Sequence, residues 1–181
     1  MDWRVDEAAL GLDLAEIEII PPTEIPWKMG LHWGNPLEKP IELALDPEAG
    51  TDLPDAFLVG IPLFSTRLIG LLRSLGVDNL QEFDAVITDP RDDRKIVSYK
   101  AVNIVGLVEC ADLTASEYFE GDGPPLMQFD HLVIDETRAR GLLFFRLGED
   151  AATILVHERV ADPLLQENLI GVRLQAVDSA P

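Results

Sequence analysis

The sequence predicts a single α+β domain, mainly an antiparallel or mixed β-sheet with two or three short helices and a loop-rich N-terminal lobe. Three observations predict this class. Short runs with strand character outnumber helical runs after residue 55. One segment near residue 70 combines helical spacing with capping residues at both ends. Seven of the 13 prolines lie within the first 54 residues, where they interrupt any long periodic pattern.

Charge and composition exclude several classes of binding partner. The 181 residues include 33 acidic and 14 basic side chains, which gives a formal net charge of −19. Such a chain is repelled by phosphate backbones and anionic lipids, so we expect no nucleic-acid or membrane partner. The hydrophobic content of 47% is too high for a disordered acidic tail. The blocks 1–50 and 101–150 carry most of the charge, with net values of −8 and −7.

Cysteine content and the N-terminus predict a cytoplasmic protein. A single cysteine, Cys110, excludes an intrachain disulfide and a cysteine-based zinc cluster. It lies in the apolar run 102–111, so we expect a buried hydrophobe rather than a nucleophile. The first residues lack the basic and apolar regions of a secretory signal, and no apolar run reaches the roughly 20 residues that span a bilayer.

The N-terminal lobe is predicted to comprise residues 1–54 and to pack on a core of residues 55–181. Within the lobe, large apolar residues alternate with polar or small ones, as on one face of a short strand. These residues are Trp27, Met29, Leu31 and Trp33. We expect this segment to cover the main core rather than to form an exposed aromatic binding site.

The clearest helix signal follows Ser65. This residue is a typical N-cap, an apolar stripe with helical spacing comes after it, and Gly76 provides the C-terminal glycine. The stripe consists of Leu68, Leu71, Leu72 and Leu75. The spacing therefore predicts one amphipathic helix over this segment.

The remaining elements are mostly predicted strands. Residues 80–88 and the longer run 96–110 flank the charged stretch 89–95, which predicts a hairpin with a solvated tip. After a loop at 121–125, shorter runs predict strands at 131–135, 142–147, 153–156 and 171–177. A helical pattern covers 158–168. Because Pro163 suits a first helical position after an Asp162 N-cap, we expect a short turn followed by a second brief helix.

Motifs for catalysis or cofactor binding are missing from the sequence. His32, His131 and His157 do not share a metal-ligand spacing, and we expect surface or capping roles for them. No glycine-rich phosphate loop and no nucleophile elbow occur. Close carboxylate pairs arise by chance among 33 acidic residues. We therefore predict no catalytic residue, no cofactor and no metal.

The spacing of several short motifs resembles one known family. The motifs are DLPDAFL (52–58), PLFSTRL (62–68), LQEF (80–83), YKAVNIVGLVECAD (99–112), SEY (116–118), LVID (132–135), LFFRL (143–147), ILVHE (154–158) and LIGVRL (169–174). Together they resemble a bacterial immunity protein family of polymorphic toxin systems, classed as immunity family eleven and formerly a domain of unknown function. The resemblance covers residues 52–177 and implies an immunity-protein-like core without catalytic residues.

The resemblance implies an antitoxin that binds and neutralises a cognate toxin, encoded by a neighbouring gene. The acidic charge favours a basic toxin, for which a nuclease is one candidate, because opposite charge would steer the inhibitor into the toxin's active site. Acidic loop residues in the second charged block are the predicted contacts. They are Glu117, Glu120, Asp122 and Asp130.

Two other functions stay open at the sequence level. One is an enzyme acting on a small molecule, with a pocket between the N-terminal lobe and the sheet. The other is an adaptor that forms a homodimer through a sheet edge or the face of Trp27 and Trp33. A deep cleft holding two carboxylates with separated pKa values would favour the enzyme. A concentration-dependent mass would favour the homodimer.

Overall fold

A computed structural model describes residues 2–4, 13–17, 26–58, 60–119, 121 and 123–180. This part of the chain contains fifteen strands, two α-helices and one short 3-10 helix at Glu136–Ala139. The strands are β1 (Asp2–Arg4), β2 (Ile41–Ala44), β3 (Ala56–Phe57), β4 (Leu63–Ser65), β5 (Leu80–Asp89), β6 (Arg94–Ile96), β7 (Tyr99–Ile104), β8 (Leu107–Val108), β9 (Glu117–Phe119), β10 (Gln128–His131), β11 (Val133–Ile134), β12 (Phe144–Leu147), β13 (Ile154–Val156), β14 (Arg173–Gln175) and β15 (Asp178–Ser179). The helices are α1 (Thr66–Ser74) and α2 (Glu158–Leu165).

Two larger sheets carry most of the strands. One has the order β2-β5-β7-β4-β3, with β6 paired to β5, and the other has the order β14-β1-β13-β12-β8. Most pairs are antiparallel, whereas β2 with β5 and β8 with β12 are parallel. Two small sheets, β9 with β10 and β11 with β15, lie outside them. The structure is thus mostly β-sheet with two α-helices, as predicted, and it is compatible with one α+β domain.

One hydrophobic core joins both helices to one face of each larger sheet. Leu72 from α1 and Leu164 from α2 are buried in it, together with Phe64 from β4 and Phe144 from β12. The two phenylalanine rings meet edge to face, with centroids 6.2 Å apart. This contact connects the two sheets directly, in the geometry that aromatic pairs prefer.

The opposite faces of both sheets are buried as well. Neighbouring residues of one strand therefore belong to different cores: Phe64 faces the helices, and Leu63 packs in a second cluster with Trp27 and Phe83. On β12, Phe144 faces the helices and Phe145 packs in a third cluster around Cys110. Strands that are buried on both faces have continuous apolar sequences. A continuous apolar run does not show where one strand ends and the next begins. The run 96–110 therefore contains parts of three strands, β6, β7 and β8.

Helix α1 confirms the sequence prediction in detail. The Ser65 side chain accepts a 3.1 Å hydrogen bond from the Leu68 backbone N–H, as an N-cap does. Leu68 and Leu72 are fully buried. Gly76 follows the helix with φ +93°, a conformation that glycine adopts without a Cβ penalty.

The prediction of two helical pieces around Pro163 was wrong. The chain forms one helix, α2, which starts at an N-cap provided by His157 and contains Pro163. The His157 Nδ1 accepts a 3.1 Å hydrogen bond from the Arg159 N–H, so the capping role expected for this histidine is confirmed. Proline removes one hydrogen bond in a short helix. Burial of Val160, Ala161 and Leu164 on one face offsets that loss.

The predicted strand through Trp27 and Trp33 was also wrong. Residues 27–30 form a turn, closed by a 3.0 Å hydrogen bond from the Met29 N–H to the Pro26 carbonyl. Trp27 is buried edge-on against Phe83, with ring centroids 5.5 Å apart. The segment therefore covers the core as expected. The lobe boundary after residue 54 stays a prediction, and a loop-rich lobe is not confirmed, because β1 and β2 are built into the two larger sheets.

The hairpin around 89–95 is confirmed, but its tip is not simply solvated. Strands β5 and β6 pair, with Asp89 opposite Arg94. Asp89 is buried and accepts hydrogen bonds from Arg91 and Arg94. The Arg91 guanidinium is the main reason that the pKa of Asp89 falls to about 2.

Candidate functional site

The β9–β10 hairpin carries the predicted contact residues that the structure describes. Gln128 lies opposite Phe119, Phe129 opposite Tyr118, and His131 opposite Glu117. The register shifts between Phe129 and His131. Asp130 therefore occupies a bulge, which leaves it without a partner across the strand pair.

The hairpin has a half-buried and an exposed face. Tyr118 and Phe129 form the half-buried face, with ring centroids 5.9 Å apart, and Phe129 packs against the third core cluster. Side chains alternate along a strand, so Glu117 and Phe119 share the opposite face. Phe119 is 69% exposed there. We call this second face, formed by Glu117, Phe119, Gln128 and His131, the outer hairpin face.

Five contacts attach the hairpin to the rest of the protein. At its base the Ser116 hydroxyl donates to the Val133 carbonyl and accepts from the Val133 N–H. At its far end the Met127 N–H donates to the Glu149 carbonyl at 3.0 Å, and the Ala151 N–H donates to the Pro125 carbonyl at 2.9 Å. His131 Nε2 lies 3.3 Å from Asp178 Oδ2 on β15. Both ends of the hairpin are thus tied down.

Two of the four predicted contact residues lie on this hairpin. Glu117 and Asp130 are both exposed, and neither forms a salt bridge with another described residue. Glu120 and Asp122 lie outside the described residues. Sequence reasoning missed Phe119. Its spacing from Glu117 is compatible with a shared strand face, but the sequence alone does not show that this face is exposed.

A pair of buried charged residues supports the loop to which the hairpin is attached. The Glu149 carboxylate accepts hydrogen bonds from the backbone N–H groups of Cys110 and Ala111, at 3.3 and 3.1 Å. Burial is the main cause that raises the pKa of Glu149. The Arg146 guanidinium donates to the Ala151 carbonyl at 2.7 Å, and burial lowers its pKa to about 10. Both side chains thus form hydrogen bonds with backbone groups, which is a structural role.

Cys110 has the environment of a buried hydrophobe, as predicted. It is fully buried in the third core cluster. Burial, and then the neighbouring Glu149 carboxylate, raise the pKa of the Cys110 thiol to about 12. A thiol with so high a pKa is almost entirely protonated at neutral pH, so it is a poor nucleophile.

A cavity of about 520 Å³ lies between residues 32–40 and residues 81–84 of β5. The alternative that the protein is an enzyme predicts a pocket in this place, between the N-terminal lobe and the sheet. Two carboxylates of β5 line it, but Glu82 bonds Arg73 at 2.9 Å and Asp84 bonds Lys100 at 2.6 Å. Both of these carboxylates are thus already paired with basic side chains.

A metal cluster and a membrane-spanning helix each have structural requirements, with which the described part of the chain can be compared. Within it, no three His, Cys, Asp or Glu side chains lie close enough to hold a metal ion. No helix among the described residues is both long and apolar enough to cross a membrane. His32 lines the cavity beside β5, whereas His131 and His157 lie at the hairpin and at the start of α2.

Comparison with known proteins identifies a family rather than an individual relative. Residues 4–179 match the family model described as Immunity protein family (Imm11). The match also covers residues 4–51, which lie outside the motifs 52–177 that carry the resemblance in the sequence. No curated protein matches the chain.

Proposed function

Because the chain belongs to the Imm11 immunity protein family, we propose that it binds one cognate bacterial toxin and neutralises it by covering the toxin's active site. Membership of the family indicates an immunity function against a toxin and suggests a non-enzymatic role. An immunity protein needs a surface that is complementary to its toxin, and it needs no reaction centre.

The acidic charge supports a basic toxin as the partner. A net charge of −19 on 181 residues attracts a cationic surface over long range. Toxins that cut nucleic acids have cationic clefts, because those clefts receive phosphates. An acidic protein would be steered into such a cleft and would exclude the substrate from it. A basic nuclease, encoded beside the immunity gene, is therefore the toxin that we propose.

The proposed contacts lie in the second acidic block. Glu117 and Asp130 are exposed on the hairpin and unpaired among the described residues. Glu120 and Asp122 follow in the same sequence segment. A toxin that acts in the cytoplasm has to be neutralised in the cytoplasm. A buried free thiol at Cys110 is compatible with that compartment.

The experiment is co-expression with the toxin domain encoded by the neighbouring gene. We expect that domain alone to stop growth, and the wild-type chain to restore growth and to co-purify with it. Association should slow steeply as salt rises, because screening weakens steering. Continued growth arrest in the presence of well-expressed wild-type protein would contradict the proposed function. An association rate that does not depend on salt would contradict the steering part alone.

A further inference from the structure

The outer hairpin face exposes a large aromatic side chain on a rigid element. Phe119 is 69% exposed, the largest exposed fraction among the large hydrophobic side chains that the structure describes. An aromatic ring can bury 150–250 Å² of surface in a complex at a small cost in side-chain entropy. Aromatic residues of this kind often supply the central anchor of a protein interface.

Polar side chains surround this ring. Glu117 lies two residues before Phe119 on the same strand face, and Gln128 lies directly opposite it. His131 lies opposite Glu117. An apolar centre with a polar rim is the arrangement found in many docking surfaces, since the rim excludes water from the central contact.

The charged side chains of the sequence segment that contains the hairpin are acidic only. Residues 101–137 contain eight acidic residues and no lysine or arginine. Glu117 on the outer face and Asp130 in the adjoining bulge are exposed, with no salt bridge to any residue in the described ranges. A partner that covers Phe119 therefore contacts negative charges at the edge of the interface. Cationic side chains around the partner's binding pocket would complement those charges.

The hairpin is also held in place before any partner arrives. Ser116 and Val133 form two hydrogen bonds at its base, and the Met127 N–H bonds the Glu149 carbonyl near its far end. A backbone that is already ordered loses little entropy on binding. This arrangement suits a docking element better than a free loop would.

From these observations we propose that the outer hairpin face docks on the toxin. Phe119 enters an apolar pocket of the toxin, and Glu117 and Asp130 meet lysine or arginine side chains at the rim of that pocket. The proposal rests on the immunity function proposed above and adds the surface and the anchor residue to it.

The chain offers matched controls for both parts of the interface. Val97 is 67% exposed, close to the value for Phe119, but it lies between β6 and β7 in a stretch that contains Lys95 and Lys100. Glu42 is an exposed glutamate on β2. Val97→Ser tests the loss of an exposed apolar side chain elsewhere, and Glu42→Lys applies the same change in net charge as Glu117→Lys.

The experiment measures association and dissociation of each variant against the purified toxin domain whose activity the wild-type chain blocks. We expect Phe119→Ser to weaken binding by about 30-fold or more, mainly through faster dissociation, as loss of an anchor residue does. Glu117→Lys should slow association at low salt more than Glu42→Lys does. Val97→Ser should bind as the wild type does. Gln128→Lys, a surface change opposite Phe119, should weaken binding even if Phe119→Ser folds poorly in a thermal melt.

The outcomes separate this proposal from the immunity function. If the wild type neutralises the toxin while Phe119→Ser and Gln128→Lys bind equally well, the docking surface is wrong and the immunity function stands. If the wild type does not bind the toxin, both are wrong. If the chain alone forms a dimer that Phe119→Ser converts to a monomer, the face is a self-association surface and the proposal is overturned.

Discussion

The Ser65 hydroxyl donates a 2.6 Å hydrogen bond to the buried Asp55 carboxylate while it accepts one from the Leu68 N–H at the start of α1. The same carboxylate accepts from the Ile170 N–H at 2.9 Å, and the Asp55 N–H donates to the Ile170 carbonyl at 2.8 Å. One side chain thus orients the cap of α1 and attaches the segment that follows α2. The two helices of the central core are connected through it.

Replacing Asp55 with alanine should destabilise the fold strongly. The change leaves the Ile170 N–H and the Ser65 hydroxyl, two partly buried donors, without their acceptor, and the loss of such hydrogen bonds is costly. We expect the free energy of unfolding to fall by about 3 kcal/mol, measured by chemical denaturation. Asp162→Ala, which removes an exposed carboxylate from α2, is the control and should change stability little. Equal effects of the two changes would contradict the role given to Asp55.

The apolar stripe of α1 gives a second stability prediction. Leu72 is fully buried in the core between the two larger sheets. Leu72→Ala should lower the free energy of unfolding by about 2–5 kcal/mol, because it removes apolar contacts and leaves a cavity. Leu165→Ala at the exposed end of α2 makes the same chemical change outside the core. A melting temperature that drops as much for Leu165→Ala as for Leu72→Ala would refute this account.

Local signals explain why α1 could be predicted and α2 could not. At α1 the cap, the stripe and Gly76 all agree, and tertiary packing only reinforces them. At α2 the local signal of Pro163 favours a break, but burial of Val160 and Leu164 outweighs one missing hydrogen bond. Whenever a long-range contact overrides a local preference, the sequence alone predicts the wrong element.

The candidate site shows the same limit. Acidic residues such as Glu117 could be chosen from the charge of the block 101–150. Phe119 could not, because an apolar residue in a short strand is normally assigned to a core. Its exposure depends on the β9–β10 hairpin being separate from both larger sheets. That separation depends on long-range pairing, which periodicity within β9 does not encode.

A comparison of Gly30 with Gly60 distinguishes two effects on stability, that of backbone conformation and that of close packing. Both have positive φ, +63° and +73°, so alanine is strained at either position. A Cβ at Gly30 would lie 2.5 Å from the Leu107 backbone nitrogen, whereas a Cβ at Gly60 meets nothing within 4 Å. We therefore expect Gly30→Ala to cost about 1–3 kcal/mol more than Gly60→Ala in chemical denaturation. Similar losses at both positions would show that the contact with β8 relaxes freely.

Asp89 links stability to pH at the β5–β6 hairpin. Hydrogen bonds from the Arg91 side chain, and further bonds from the Arg91 backbone and from Arg94, lower the pKa of Asp89 from 3.8 to about 2. A carboxyl group with a lower pKa in the folded state binds protons more readily in the unfolded chain. Its contribution to stability is therefore complete above the unfolded pKa of 3.8, and it is lost as the pH falls toward about 2.

Asp89→Asn removes this contribution and should lower the melting temperature by several degrees at pH 7, because Arg91 and Arg94 lose their charged partner. The difference from wild type should shrink as the pH falls from about 4 to about 2, because the wild-type carboxylate becomes progressively protonated over this range. Asp84→Asn on the same strand is the control, since that carboxylate is 73% exposed and its ion pair with Lys100 contributes little. Thermal melts across this pH range test the account, which fails if the Asp89→Asn deficit is constant with pH.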